Sequence, residues 1–333
     1  MAITFNVLGG PADDNAVLAV VDSGQHQTRL LFDCGEGTLA GVPFGETLDI
    51  DHVFFSHYHM DHICGFDSFF RRHFDRTSRA NHLWGPPGTG EIMGHRFRGF
   101  SWNLAGDKAV AWHCHDIFED HITTVRCELG ESFATAHPEP TMPRRNREIC
   151  RTPDCRVEAL TLNHGIPSIG YVVREHDRVN IDPERLARSG LNPGPWLRAL
   201  RDELETTPES MMIDGVRFST ADLREDLLVH SRGEAFAYLT DFFADDAEIQ
   251  RLAACLEGVD TLVCECQYRD GDAELAAKNH HMTTVKVASL AAAARVKRLC
   301  LIHLSDRYTP QEWREMKAEA ADVFPNAEFP PGW

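Results

Sequence analysis

The sequence predicts an α+β protein in which two β-sheets pack together and helices cover their outer faces. In the first half, short β-branched runs follow one another with Gly, Pro, Asp and Ser between them, a pattern typical of consecutive strands. In the second half, apolar strands alternate with helices, which favours helices packed outside a sheet. With 333 residues, 43% of them hydrophobic, the chain can bury a large core, as one large domain or two moderate ones.

The strands are predicted from apolar runs of high β-propensity that end at turn residues. In chain order they are Ile3–Leu8, Ala16–Val21, Thr28–Phe32, Val53–Ser56, Asn81–Trp84, Ala109–Trp112, Thr123–Leu129, Ser132–Ala136, Val157–Leu162, Ser168–Val173, Ala235–Leu239, Asp260–Cys264 and Arg298–Leu304. The first three are expected to be antiparallel. The Pro- and Arg-rich segment His137–Asp154 is expected to be a surface loop.

The helices are predicted from amphipathic spacing together with capping residues and terminating glycines. In chain order they are Phe66–Phe74, Asp182–Gly190, Trp196–Leu204, Asp245–Leu256, Thr283–Val296 and Pro310–Phe324. The stretch Thr206–Ser231 is polar and is predicted to be irregular. Residues Ile181–Ser231 therefore look like an insertion rather than a part of the core.

Composition argues against several classes of protein. The net charge of −18 argues against general polyanion binding, because counterion release needs clustered lysines and arginines. No apolar run reaches about 18 residues, so no membrane span is expected. The N-terminus lacks the basic and apolar regions of a signal peptide, and we therefore expect a cytoplasmic protein. Its ten cysteines are expected to be reduced.

The stretch Val53–His62 carries the strongest chemical signal. An apolar run leads into His57, His59, Asp61 and His62. Histidines two residues apart on extended chain point to the same side, and a helix that begins at Asp61 would place the next two ligands beside them. Three imidazoles and one carboxylate suit zinc or a similar divalent ion. Six residues cannot enclose two ions, so further ligands are expected downstream.

Three later residues lie in the same context, at the end of an apolar β run. They are His164, Asp241 and His303. Polar residues at strand ends are usually turn or capping residues, but layered α/β enzymes also place their active sites there. Their recurrence after the histidine motif predicts a dinuclear site. The expected division gives His57, His59 and His164 to one ion and Asp61, His62 and His303 to the other, with Asp241 as the bridge.

Such a site predicts hydrolytic chemistry. Zinc lowers the pKa of bound water to about 7, so that hydroxide is available near neutral pH. Two ions roughly 3.5–4 Å apart can stabilise both the attacking and the leaving oxygen of an in-line displacement. Phosphodiesters, amides and lactones all suit this chemistry, so the ligands predict a hydrolase without selecting the bond. We expect two Zn²⁺ per chain, and Mn or Fe would accept the same ligands.

Three other motifs are weaker. Gly85–Glu91 resembles a nucleotide-binding P-loop, but Glu91 and Ile92 stand where Lys and Ser/Thr are required, so a plain strand-to-helix turn is expected. The cationic run Pro143–Arg147 is expected to be a solvated loop, with a phosphate contact as the alternative. A further set of metal-ligating residue types matches no familiar zinc spacing. Its members are His113, Cys114, His115, Cys150 and Cys155.

Taken together, the motifs of this chain resemble the metallo-β-lactamase superfamily and, within it, the ribonuclease Z (tRNA 3′-processing endoribonuclease) family. The resemblance covers nearly the whole chain through five motifs. They are Leu31–Thr38, Phe55–His62, Asn163–Gly165, Leu239–Asp241 and Ile302–Tyr308. It implies a four-layer αββα sandwich of the metallo-β-lactamase type, formed by a single domain over residues 1–333 with an inserted arm at 176–231. It also implies a homodimer that cleaves precursor tRNA on the 3′ side and leaves a 3′-hydroxyl.

The resemblance also implies roles for residues outside the ligand set. His281, in the sequence His-Met-Thr, matches the catalytic histidine of the family and would donate a proton to the leaving 3′-oxygen. Glu265 would orient His281, and Asp61 is expected to act in catalysis as well as in metal binding. Asp33, in the first motif, would support the metal-binding histidines from behind. Arg307, in the fifth motif, is expected to contact the substrate.

The chain departs from the family in its arm. Val179–Glu203 resembles the protruding segment that clamps the tRNA elbow, and Gly194 and Pro195 are its expected substrate contacts. Leu197 replaces the usual glycine, and acidic residues follow within Arg201–Glu205. This arm is therefore less basic than a tRNA clamp would favour.

Two further departures lie near the metal site. The Pro-x-x-x-Arg-Asn loop of the family is replaced by the shorter, acidic Gly9–Asn15, and Thr240 replaces the usual glycine before Asp241. An alternative hypothesis is therefore a phosphodiesterase of the same fold that acts on a small ester or cyclic nucleotide. The pairing of His281 with Glu265 and the presence of an arm argue against a lactone or thioester hydrolase.

Overall fold

A computed structural model describes residues 3–24, 26–103, 108–201 and 208–333. The chain divides into two compact units. The smaller is His176–Gly233, and the larger is formed by the described residues on either side of that segment. None of the helices in the described ranges is long and apolar enough to cross a membrane.

The described residues form twenty strands, several of them short. In chain order they are β1 Ile3–Val7, β2 Val17–Asp22, β3 Gln27–Phe32, β4 Ile50–Phe54, β5 Asn81–Gly85, β6 Ala111–Ile117, β7 His121–Glu128, β8 Ala136–Pro138, β9 Met142–Pro143, β10 Glu148–Arg151, β11 Cys155–Asn163, β12 Pro167–Glu175, β13 Arg178–Ile181, β14 Ser210–Ile213, β15 Val216–Ser219, β16 Leu228–Ser231, β17 Ala235–Leu239, β18 Thr261–Glu265, β19 Arg298–Ile302 and β20 Ala327–Glu328.

The same residues form eleven α-helices. In chain order they are α1 Phe44–Leu48, α2 Met60–Ile63, α3 Phe66–His73, α4 Thr89–Arg98, α5 Pro183–Ser189, α6 Trp196–Arg201, α7 Thr220–Leu227, α8 Asp246–Cys255, α9 Ala273–Lys278, α10 Thr284–Ala294 and α11 Pro310–Val323. The longest, α11, begins with a capping box in which Thr309 and Glu312 satisfy each other's backbone amides.

Two sheets make up the larger unit. The first runs in the order β1 to β8, with β9 paired to β7, and the second has the order β10-β11-β12-β17-β18-β19-β20. The predicted antiparallel pairing of the first three strands is confirmed, and the pairs that join β3, β4, β5 and β6 are parallel. In the second sheet, β17, β18 and β19 are parallel, so their carboxyl ends meet at one edge.

Side chains of the central strands alternate between two cores, because successive residues point to opposite faces. In β17, Phe236 and Tyr238 enter the core between the sheets, whereas Ala237 and Leu239 join the core on the outer face. Helices α8, α10 and α11 cover that outer face, and α3 and α4 cover the outer face of the first sheet. The result is the predicted four-layer αββα sandwich.

Several predicted elements were wrong in detail. The predicted strand Ser132–Ala136 begins instead at Ala136, because Ser132 and Phe133 have φ near +55°, which an extended strand does not allow. The predicted loop His137–Asp154 contains β9 and β10, short strands that form only because neighbouring strands pair with them. The strand predicted to end at Trp112 continues as β6 to Ile117.

The smaller unit has its own core, although its segment Thr206–Ser231 is predicted to be irregular. Two-stranded sheets, β13 with β16 and β14 with β15, pack with α5, α6 and α7. The buried core residues are Leu200, Met211, Ile213, Leu223, Leu227 and Leu228. Gly194 and Pro195 directly precede α6, and Pro195 is exposed. The end of the predicted helix, Asp202–Leu204, and the acidic stretch to Glu205 lie outside the described residues.

Candidate metal centre

The seven predicted ligands come together in two groups that share one carboxylate. The first group is His57, His59, His164 and Asp241, and the second is Asp61, His62, His303 and Asp241. Within each group the ligand atoms lie within 4.8 Å of one another. They converge because β4, β11, β17 and β19 each end just before a ligand.

Asp241 is placed as a bridge between the two groups. Its Oδ2 lies 3.6 Å from His57 Nε2 and 3.5 Å from His164 Nε2. Its Oδ1 lies 3.4 Å from His62 Nε2 and 3.5 Å from His303 Nε2. Each carboxylate oxygen therefore faces one group, which is the arrangement that a ligand shared by two ions requires.

The backbone at several site residues is held in the left-handed region. Asp33, Asp241 and His303 have φ values of +55°, +50° and +54°. Non-glycine residues seldom adopt this conformation, and it persists where the surrounding structure enforces it, often at functional sites. Here the sharp turns that follow β3, β17 and β19 aim the three side chains back toward the gap between the sheets.

Hydrogen bonds at Nδ1 leave Nε2 of three histidines facing the centre. His62 Nδ1 donates to Asp33 Oδ2 at 2.8 Å, and His164 Nδ1 donates to the His280 carbonyl at 2.9 Å. His57 Nδ1 lies 3.0 Å from the Ser56 hydroxyl. Partners of this kind fix the ring and the tautomer of metal-binding histidines.

The donor set fits two divalent ions. The Nε2 atom of His57 is buried and has no hydrogen-bond partner among the described residues, which is costly unless a ligand binds it. Burial lowers the pKa of His57 to about 2, so the imidazole is neutral, the form that binds metal. Each group also offers at least one carboxylate oxygen, so nitrogen and oxygen ligands are mixed in the way zinc accepts.

Asp33 lies behind the ligands and contacts His62. Its Oδ1 accepts from Ser56 N at 2.7 Å, and its Oδ2 accepts from the Ser56 hydroxyl at 2.8 Å and from His62. Tyr238, which the sequence did not single out, also donates to Oδ2 at 2.7 Å. This fully buried carboxylate therefore ties the ligand loop after β4 to a strand of the second sheet.

Asn15 is a site residue that sequence reasoning missed. Its backbone N–H donates to the Asp61 carbonyl at 2.9 Å, and its side-chain amide lies 3.4 Å from both Asp61 Oδ2 and His62 Nε2. It ends the acidic loop by which this chain departs from the family. That loop therefore contacts the metal centre, although no pattern in its sequence indicates the contact.

Gly35 is required because two other backbone segments approach it closely. A Cβ at Gly35 would lie 2.3 Å from the Asp61 carbonyl oxygen and 2.9 Å from Asn15 N. Gly35→Ala is therefore expected to displace the Asp61 loop and lower the free energy of unfolding by about 1–3 kcal/mol. Chemical denaturation and metal analysis would measure both effects. Gly41→Ala is the matched control, since its Cβ would meet nothing within 4 Å, and equal losses in both variants would contradict the packing explanation.

His281 and Glu265 form a hydrogen-bonded pair beside the centre. His281 Nδ1 donates to Glu265 Oε2 at 3.0 Å, and the Glu265 carboxylate also accepts from the backbone N–H groups of Phe242 and Met282. The His281 ring centroid lies 4.9 Å from that of His164. Burial favours the neutral imidazole, but the charge and hydrogen bond of Glu265 outweigh burial and raise the pKa of His281.

The structure distinguishes His280 from His281, a choice that the sequence left to the family resemblance. His280 contributes its backbone carbonyl, which accepts from His164, whereas the His281 side chain pairs with Glu265. Arg307 is exposed four residues beyond His303, and its guanidinium carbon lies 6.0 Å from the ring centroid of Tyr268. The Tyr268 ring lies in turn 6.0 Å from that of His281.

The weaker motifs take no part in this centre. The amides of Gly88 and Gly90, which a P-loop would offer to phosphate, donate instead to the Asp116 carboxylate. In the cationic run, Arg144 is not simply solvated, since it donates to the carbonyl of Phe118 at 2.9 Å. The His and Cys set from 113 to 155 does not appear in any of the three potential metal-binding groups of the described residues. Cys114 faces the outer core of the first sheet, away from its neighbours in sequence.

Comparisons with known proteins show the family of this chain. Residues 28–179 match the family described as "Beta-lactamase superfamily domain". Ribonuclease Z of Deinococcus radiodurans is 49% identical over 327 residues, which cover 98% of this chain and 97% of that protein.

Two solved structures show the same fold. The metallo-β-lactamase fold protein YhfI of Bacillus subtilis superposes with a TM-score of 0.54 at 15% identity, covering 98% of this chain and 95% of that one. Human tRNase Z, short form, superposes with a TM-score of 0.51 at 16% identity, covering 92% of this chain and 94% of that one. With 49% identity to a ribonuclease Z over nearly its full length, this chain belongs to the ribonuclease Z family of the β-lactamase superfamily, a family of divalent-metal-binding hydrolases.

Proposed function

We propose that this protein is a metal-dependent phosphodiesterase that removes the 3′ trailer from precursor tRNA by endonucleolytic cleavage. The observation that carries the proposal is the pair of ligand groups bridged by Asp241, with the His281–Glu265 pair directly beside it. The relative that matches nearly the whole chain is named a ribonuclease Z, which supports the choice of substrate.

We propose that two divalent ions bind, with zinc as the expected metal and Mn or Fe as alternatives. His57, His59 and His164 would hold one ion, Asp61, His62 and His303 the other, and Asp241 both. When bound, such ions stabilise charge on phosphoryl oxygens and lower the pKa of water. Because His57, His62 and His164 are already oriented by their Nδ1 partners, these three ligands need little reorganisation for binding.

The remaining roles belong to side chains around the ligands. His281 donates a proton to the leaving 3′-oxygen, and Glu265 holds its ring by accepting from Nδ1, which leaves Nε2 for the transferred proton. Asp61 Oδ2, 3.2 Å from His62 Nε2 and 3.4 Å from His303 Nε2, keeps the second group compact. Arg307 contacts a phosphate of the substrate, and Gly194 and Pro195 of the arm contact the tRNA elbow.

One experiment tests the substrate. Metal-loaded protein is incubated with a precursor tRNA that carries a 3′ trailer and, separately, with bis-p-nitrophenyl phosphate. We expect cleavage of both, with a 3′-hydroxyl on the tRNA product. Cleavage of the small ester alone would contradict the tRNA assignment. It would support the alternative of a phosphodiesterase for small esters or cyclic nucleotides, which the acidic loop beside Asp61 favours.

The family resemblance leads to two further proposals. We propose that the protein is a homodimer, which sedimentation equilibrium would test, and that it acts in the cytoplasm. Among the described residues, the larger unit exposes large apolar side chains, Phe44 and Met60, that a partner subunit could cover.

A further inference from the structure

A cleft lies beside the metal centre, where the loops after β11 and β17 meet. Its lining includes Asn163, which directly precedes His164, and Phe243, which follows Asp241 by two residues. The backbone N–H of Phe243 donates to the Asn163 carbonyl at 2.8 Å. This hydrogen bond joins the two loops close to the metal centre, and the cleft is lined by residues that lie one and two positions from the ligands His164 and Asp241 in the chain.

Two consecutive aromatic residues after Asp241 have different environments. Phe242 is fully buried in the outer core of the second sheet, and its backbone N–H donates to Glu265. Phe243 is only half-buried and borders the cleft. Packing explains the first ring but not the second, because exposing part of a large aromatic side chain gives up apolar burial.

Lys286 fixes the position of the Phe243 ring. Its Nζ lies 4.4 Å from the ring centroid and donates to the Ala244 carbonyl at 2.8 Å. Lys286 belongs to the first turn of α10, which begins three residues after His281. A cation–π contact of this kind holds the ring without covering it entirely, so Phe243 is positioned relative to both the bridging carboxylate and the catalytic pair.

We propose that Phe243 is the platform on which a nucleobase next to the scissile phosphate stacks. The inference rests on the proposed function, since it assigns a nucleic-acid substrate to this site. Bases at single-stranded 3′ ends can leave the stack and bind aromatic side chains, and every base offers a π-face. A ring already held by Lys286 loses little conformational entropy when a base binds.

The charges of the cleft favour a base over the sugar-phosphate backbone. Glu119 and Asp245 also line it, and Arg251 is paired with Glu248 and with the Thr161 carbonyl. Carboxylates repel phosphates, so the phosphodiester chain is excluded from the cleft, whereas an uncharged base is not. The same carboxylates can accept hydrogen bonds from exocyclic amino groups. The structure therefore assigns the metal centre to the phosphate and the cleft to the flanking base.

The test compares variants of Phe243 on intact and abasic substrates. Phe243→Leu keeps an apolar side chain but removes the π-face, and Phe243→Trp restores one. On a trailer-bearing precursor tRNA, we expect kcat/KM to fall about tenfold for the leucine variant and to stay near wild type for the tryptophan variant. Phe100→Leu, at an exposed aromatic residue of another surface, is the matched control and should have no effect.

Abasic precursors, with the base removed on either side of the scissile bond in turn, complete a double-mutant cycle between Phe243 and the base. At one of the two positions, removing the base should lower the kcat/KM of wild type about tenfold. The same removal should not lower the kcat/KM of Phe243→Leu any further. Independent, multiplicative losses at both positions would overturn the platform, as would an equal loss on bis-p-nitrophenyl phosphate with reduced metal content. If wild type fails to cleave the precursor at all, the proposed function fails and this inference fails with it. Cleavage by wild type without coupling overturns the inference alone.

Discussion

Replacing His281 by alanine is expected to lower kcat for precursor tRNA by about 10²–10⁴-fold, the range typical of a lost general acid. The leaving 3′-oxygen of a ribose is a poor leaving group without a proton, and His281 is the imidazole that Glu265 holds beside the ligands. Rate measurements at saturating substrate, with metal content determined on the same samples, would test the assignment. Metal content should stay at the wild-type level.

A second substrate separates proton donation from other roles of His281. The p-nitrophenolate ion leaves without needing a proton. The rate lost in His281→Ala, relative to wild type, should therefore be much smaller for bis-p-nitrophenyl phosphate than for precursor tRNA. His280→Ala is the neighbouring control, because His280 acts through its backbone carbonyl. Loss of metal in His281→Ala would contradict the prediction. That outcome is a real alternative, since ligand atoms of Glu265, His281 and His303 also lie within 4.8 Å of one another.

The sequence could predict the ligand positions because each of them obeys a local rule. His164 and His303 directly follow buried strands, and Asp241 comes two residues after one. Parallel neighbouring strands bring such ends together. The alternation of strands with helices in the second half of the chain, after consecutive strands in the first half, predicts the layers. These features depend on residue type and spacing, which a single sequence contains.

Other parts of the site could not be predicted, because they depend on contacts between distant segments. Asn15 reaches Asp61 across 46 positions of the chain, and Tyr238 reaches Asp33 across 205. Nothing near Asn15 or Tyr238 in the sequence distinguishes a site residue from an ordinary loop or strand residue. Such hydrogen bonds exist only once the two sheets have packed.

The fold of the arm, by contrast, has local signals in the sequence. Asp214 and Gly215 separate β14 from β15 and have φ values of +50° and +82°. An Asp-Gly pair between short apolar runs is typical of a two-residue hairpin turn. Ser219 then caps α7 by accepting from Asp222 N. The low hydrophobicity of the segment nevertheless favours an irregular structure in the prediction. Six buried side chains suffice for its small core.

Replacing Asp241 by asparagine is expected to remove one metal ion rather than two, and to lower activity at least 10³-fold. A change in the residues that merely orient metal ligands already costs about 10–100-fold in metal affinity, and Asp241 is a bridge between both groups. Asparagine keeps the shape but offers one oxygen and one amide nitrogen, which donates hydrogen bonds and cannot replace a ligating oxygen. Metal analysis after dialysis would give the stoichiometry. Asp245→Asn, at an exposed acid of the same loop, should retain two ions.

The hydrogen bond from Thr240 to residue 241 is expected to determine which of the two ions is lost. Its hydroxyl donates to Asp241 Oδ1 at 2.6 Å, so in the variant the asparagine oxygen should stay on that side, facing His62 and His303. The amide nitrogen then faces His57 Nε2 and His164 Nε2 and donates a hydrogen bond to these atoms, in competition with metal. The ion held by His57, His59 and His164 should therefore be lost, while Asp61, His62 and His303 retain theirs. In a Thr240→Val, Asp241→Asn double variant the amide is free to turn over, and the retained ion should be shared between the two positions. Retention of two ions in the single variant would show that Asp241 does not bridge them.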